Sequence, residues 1–411
     1  MVNPNHVDLN HDGGVPRLPR VCVGWAGRAA RALTTLVSAA VLAVGALAVV
    51  PAPARADDVI TTQEYFSYYH LDTARAKGYT GKGVTIALID GTVDTSAPEL
   101  KGANITDKSR CTIEDSLSGK SHGTGMASML VSPTFGVAPD AVLYTYQRVN
   151  VNSISRGTCS SMSPAPDRFA ALINQAIDDG AQIISISMEG TEDGEDVKWA
   201  IARAMSEGVI IVNSAGNTGA DNNSNQLSKW SGVVGVAAIT ADGQRASYSS
   251  SGNGVTTAAF GDPVASRNYE TGKIEDTDGT SNSAALVSGM LALARQKWPD
   301  ATANQILQVL THTGLNPNHE WNPYTGYGAA DLGALVNTDP SQYPDENPLA
   351  QKRGDSNPTV QEVQDYADGV VEPNPDILGK SYVYRGIDEV AASMDDVGPV
   401  HLGTSPRYHR K

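Results

Sequence analysis

The sequence predicts an α/β fold, a doubly wound and mainly parallel sheet flanked by helices on both faces. Three observations carry that expectation. Val84-Thr-Ile-Ala-Leu-Ile-Asp90 is a β-branched apolar run without polar alternation, the pattern of a strand covered on both sides. Runs of the same kind return at 141–147, 182–187, 209–215 and 233–239. Helical stretches separate them near 167–179 and 195–207, and such alternation gives right-handed crossovers whose functional groups gather at the carboxyl ends of the strands.

In chain order, residues 1–56 read as an export signal. Arg17, Arg20, Arg28 and Arg31 precede an apolar run at 33–50, and Ala54-Arg55-Ala56 fits a small-x-small cleavage site that places Asp57 at the mature N-terminus. Residues 57–79 carry Tyr65, Tyr68 and Tyr69 and are expected to lay a short helix over the domain surface. The first strand follows the Gly81-Lys-Gly83 turn. An amphipathic helix at 301–310 comes after Trp298-Pro-Asp300, and Gly326-Tyr-Gly-Ala-Ala-Asp331 closes the compact part. The predicted organisation is therefore a signal peptide at 1–56, one compact α/β domain at 57–338 and a C-terminal extension at 339–411. That extension is acidic and rich in Pro and Asn, the composition of a solvated linker or partly disordered arm, and it holds no apolar run long enough to span a membrane.

Charge excludes several function classes. The chain of 411 residues carries a net −15; five Arg against Asp8 and Asp12 give the leader +3, leaving the mature part near −15 − 3 = −18. A surface of that sign repels nucleic acid and anionic membrane. Nucleotide sites are excluded as well. Gly119-Lys120-Ser121 and Gly379-Lys380-Ser381 resemble phosphate-loop endings, but the earlier glycine is Glu114 in one and Asn374 in the other. Of the three cysteines, Cys22 falls in the leader, and the remaining pair, Cys111 and Cys159, is most simply a disulfide in an exported chain.

Gly279-Thr-Ser-Asn-Ser-Ala-Ala-Leu-Val-Ser-Gly289 organises the rest. It delivers the Ser281 hydroxyl onto the first turn of a helix of small and apolar residues, where free backbone N–H groups and the helix dipole favour an anion. Asp90 ends the first strand, Asn217 follows the 209–215 strand in Ser214-Ala-Gly-Asn-Thr-Gly219, and His122 opens a helix in Ser121-His-Gly-Thr-Gly-Met-Ala-Ser-Met-Leu130. Singly, each is an ordinary cap or loop residue. Together they describe acyl transfer. Ser281 attacks a carbonyl, His122 moves its proton, Asp90 holds the imidazole, and Asn217 with the Ser281 N–H receives the oxyanion.

These motifs, together with Gly136-Val-Ala-Pro-Asp140 and Gly326-Tyr-Gly328, resemble the subtilisin-like serine proteases in the order Asp, His, Asn, Ser across 65–336. The resemblance implies a secreted endopeptidase that binds extended polypeptides by strand addition and requires no cofactor for its chemistry. It implies further that Ser187-Met188-Glu189-Gly190 and Ser214-Ala215-Gly216 line the cleft and primary pocket. Glu189 stands where a glycine is common, which favours a basic substrate side chain or narrows the cleft. Asp90-Gly-Thr92 departs from the usual Asp-Thr-Gly or Asp-Ser-Gly, and Gly125 from the usual second histidine. The Gly-Thr-Ser-x-x-Ala-Ala form is similar to the mycosin branch, which implies association with a type VII secretion system. Between 57 and 71 there is too little chain for an inhibitory prodomain. The alternative is a catalytically impaired scaffold that only holds peptides. Asp221-Asn-Asn-Ser-Asn225 is oxygen-rich and admits a structural calcium, but its spacing matches no EF-hand.

Overall fold

The computed structural model describes residues 59–148, 153–188, 190, 193–220, 227–317, 320–354, 356–372 and 382–385. Chain contacts divide the protein into two units, Met1–Pro53 and Ala54–Lys411, and every described residue belongs to the second. The expected signal peptide thus lies outside the described residues.

Two short helices come first, α1 (Glu64–Tyr68) and α2 (Leu71–Ala76), followed by β1 (Thr85–Asp90), β2 (Ile105–Asp107), β3 (Glu114–Asp115) and α3 (Leu117–Val131). The chain continues through β4 (Val142–Gln147), β5 (Ser153–Ser155), α4 (Phe169–Asp178), β6 (Ile183–Ile186), α5 (Glu195–Glu207) and β7 (Ile210–Ser214). Then come β8 (Val233–Thr240), β9 (Val255–Asp262), the hairpin β10 (Val264–Asn268) and β11 (Lys273–Thr277), α6 (Thr280–Lys297), α7 (Ala303–His312), α8 (Leu332–Asn337) and α9 (Val360–Asp368). Among the described residues the central sheet has seven strands in the order β2-β4-β1-β6-β7-β8-β9, and each neighbouring pair is parallel.

Side-chain alternation divides the core between the two faces. Ile86 and Leu88 of β1 pack with α3 and α6 on one side, while Ala87 and Ile89 pack with α4 and α5 on the other. Because both faces are covered, the strands read as unbroken apolar runs, and each predicted strand is found within a residue or two of its expected bounds. The chain passes from β4 on one side of β1 to β6 on the other, and parallel pairing sets the carboxyl ends of β1, β6 and β7 side by side.

Two expectations need correction. His122 does not open its helix: α3 starts at Leu117, capped by the Ser116 hydroxyl accepting from the Gly119 N–H at 3.0 Å, so His122 stands in the second turn. The stretch after 338 does not run off as a solvated arm within its described part. Leu349, Lys352 and Tyr366 are buried, α9 packs on α5, and Gly232 N–H donates to the Leu349 carbonyl at 2.7 Å. A few anchors suffice to hold a polar segment whose composition alone reads as solvated.

The N-terminal segment is tied down equally firmly. Gln63 exchanges two hydrogen bonds with the Ala265 backbone, and the Tyr65 hydroxyl donates to the Phe135 carbonyl at 3.2 Å. The disulfide expected between Cys111 and Cys159 is formed, and it joins the segment before β3 to the loop after β5. No helix among the described residues is long and apolar enough to cross a membrane.

Candidate active site

Asp90 is the last residue of β1, and its carboxylate is buried. Its Oδ1 accepts from the Gly91 N–H at 2.7 Å and lies 2.7 Å from His122 Nδ1. Burial disfavours the imidazolium, but the Asp90 charge and hydrogen bond, with Asp115 behind them, outweigh it and hold the His122 pKa above its ordinary value. The aspartate therefore selects the tautomer with the proton on Nδ1 and leaves Nε2 as the free base.

Ser281 occupies the first turn of α6, which starts after Gly279 and is buried from Asn282 to Ala294. Its Oγ donates to the Ser187 carbonyl at 2.9 Å, and the Ser187 hydroxyl donates back to the Ser281 carbonyl at 3.1 Å. In this arrangement the Ser281 hydroxyl is held just beyond the end of β6. Asn217 follows β7. Its Oδ1 accepts from both Thr280 N and Thr280 Oγ1 at 2.8 Å, which commits the oxygen and leaves Nδ2 as the donor at the mouth of the helix.

His122, Asn217 and Ser281 line one cavity of about 310 Å³, together with Ser266, Glu270 and Glu275 of the β10–β11 hairpin. Met188, Ser214, Ala215 and Gly216 are buried, Gly190 lies against the Phe169 ring, and none of them lines that cavity. Glu189 and the 221–225 loop lie outside the described residues. Among the described residues no three His, Cys, Asp or Glu side chains come together to hold a metal ion.

Two participants escaped sequence reasoning: Thr280 orients Asn217, and the hairpin lines the cavity. Ser187, expected to line the cleft, holds the Ser281 hydroxyl through its carbonyl. Only the hairpin left a linear trace: two short strands of alternating character around Glu270-Thr-Gly272.

A family model described as "Subtilase family" matches residues 81–328, a span that takes in all four candidate residues. The chain belongs to the subtilase family. Subtilases are serine endopeptidases, and the relatives of this one agree. Subtilisin DY of Bacillus licheniformis is 28% identical over 276 residues, covering 64% of this chain and 95% of its own length. Mycosin-1 of Mycolicibacterium smegmatis is 28% identical over 342 residues, covering 69% of this chain and 75% of its own. The crystal structure of MycP1 from the ESX-1 type VII secretion system superposes with a TM-score of 0.55 at 27% identity, covering 70% of this chain and 88% of that one. This subtilase accordingly lies near the mycosin branch.

Proposed function

We propose that this subtilase hydrolyses peptide bonds through Asp90, His122 and Ser281, with Asn217 in the oxyanion hole. The observation that carries the reading is the 2.7 Å contact between His122 Nδ1 and Asp90 Oδ1, made beside the hydroxyl at the start of α6 and in the same cavity as Asn217. Ser281 Oγ leaves the Ser187 carbonyl, gives its proton to His122 Nε2 and forms a bond to the substrate carbonyl carbon. The oxyanion is received by the Asn217 amide and the Ser281 N–H. His122 then passes the proton to the amine nitrogen as the C–N bond breaks, and water releases the acyl group by the same steps in reverse.

Export by the 1–56 leader and association with a secretion system are part of the proposal. The leader's pattern supports the first, and the likeness to Mycosin-1 and MycP1 supports the second. The domain division at 56 and 338 is retained as the functional one, with the described part of the extension packed on the catalytic domain.

Covalent labelling of residues 57–411 with a fluorophosphonate, read by intact mass, tests the chemistry. One adduct is expected on the wild type and none on Ser281→Ala or His122→Ala. A folded wild type that takes no label would leave the peptide-binding scaffold as the better reading, consistent with a serine hydroxyl parked on the Ser187 carbonyl.

A further inference from the structure

Residue 91 follows the candidate aspartate directly, and the structure leaves no room there for a side chain. A Cβ at 91 would fall 2.6 Å from Asp115 Oδ2, and a Cβ at 119 would fall 2.0 Å from Asp115 Oδ1. The Asp115 carboxylate is thus seated between two glycines, one on the β1 turn and one on α3. Its Oδ2 accepts from Thr92 N at 2.8 Å, and its Oδ1 accepts from Ser116 N at 3.0 Å, so one carboxylate joins the turn that carries Asp90 to the start of the helix that carries His122.

The seat is braced from outside. β3, which ends in Asp115, pairs with β5, and Thr112 exchanges bonds with Thr158 beside the Cys111–Cys159 disulfide. Meanwhile Asp90 Oδ1 is shared by His122 and Gly91, and buried Asp90 Oδ2 has no hydrogen-bond partner among the described residues. A second carboxylate beside an incompletely compensated first one deepens the negative field at the imidazole.

We propose that Asp115 is a positioning residue for the acid–base pair: it fixes the Asp90 turn against α3 and adds its charge to the field that stabilises the His122 imidazolium. The proposal rests on the triad reading above. Burial, and then the Asp90 charge against the two amide bonds, place the Asp115 carboxyl above its ordinary pKa, and Asp115 also contributes to the upward shift of His122.

The other charges around α3 are largely committed. Lys120 bridges to Asp94 at 2.8 Å, and Arg267 of β10 to Glu99 at 2.6 Å. Arg295 and Lys297 sit at the far end of α6. Glu114 accepts from the exposed Ser155 hydroxyl. Glu270, Glu275 and Asp278 line the same cavity as His122, where a negative charge favours the imidazolium in the same sense as Asp115.

The test is the pH dependence of the second-order rate of fluorophosphonate labelling. His122 must be neutral to act as a base, so labelling falls as pH drops through its raised pKa. For Asp115→Asn the acid limb moves to lower pH: the ratio of variant to wild-type rate is about threefold larger at pH 5.5 than at pH 9. Asp115→Ser, whose hydroxyl still accepts one amide, shows the same trend, and Glu114→Gln, one residue away, does not. A variant-to-wild-type ratio that is flat with pH, however low, overturns the proposal, as does loss of folding in both Asp115 variants, because Asp115 would then be structural only. A folded wild type without label defeats the triad reading instead, so the two failures are distinguishable.

Discussion

Asn217 does two things with one amide. Its oxygen holds Thr280 at the start of α6, and in the proposed mechanism its nitrogen receives the oxyanion. Asn217→Asp keeps the acceptor and removes the donor. Its kcat is expected to fall by about 10²–10³ or more, with the unfolding temperature close to that of the wild type. Asn217→Ala loses both functions and should lower kcat similarly while destabilising the fold by about 1 kcal/mol. Equal unfolding temperatures for the two variants would remove the Thr280 role. Ser281 and Asp90 show the same economy: the hydroxyl rests on a carbonyl, and one carboxylate oxygen serves both the imidazole and the Gly91 N–H.

At the scale of elements, the segment 339–372 is a strap held at a few points. Lys352 is buried and donates to the Ser228 carbonyl at 2.6 Å and the Gly254 carbonyl at 2.8 Å, and burial pushes its pKa down to about 7. The unfolded chain keeps the ordinary lysine value near 10.4. Between about 7 and 10.4 the unfolded state therefore holds a proton that the folded state has released, and stability rises with pH across that window by at most about 1.4 kcal/mol per unit. Below about 7 both states are protonated and the full cost of the buried ammonium is present. Lys352→Met should abolish this extra slope in denaturant unfolding measured from pH 6 to 10; an unchanged slope would show that Lys352 is not its source. The other clamp is covalent. Cys111 and Cys159 close a loop with a sequence separation of 48, and replacing both with Ala should cost up to about 4 kcal/mol. Two free thiols in unfolded, unreduced protein would rule the bond out.

For the whole molecule, what was legible follows from where each signal resides. The parallel sheet was legible because strands covered on both faces must be apolar at every position, so β1, β4, β6, β7 and β8 announce themselves. β9 was missed, since Val255-Thr-Thr-Ala-Ala-Phe-Gly-Asp262 mixes small and polar residues, and β2, with three residues, is too short to show a period. The candidates Asp90, His122, Asn217 and Ser281 stand out in their local motifs. The sequence by itself determined the parallel α/β class, the family and this candidate set, because each depends on residue type and near neighbours along the chain. Only the tertiary structure decided which groups meet: the Ser187 carbonyl on the Ser281 hydroxyl, Thr280 on Asn217, the hairpin along the cavity, Asp115 on the turn after Asp90, and Lys352 of the strap on the Ser228 carbonyl. Those neighbours come from distant parts of the chain and meet through packing and crossover connections, and no local pattern of residues encodes a meeting of that kind.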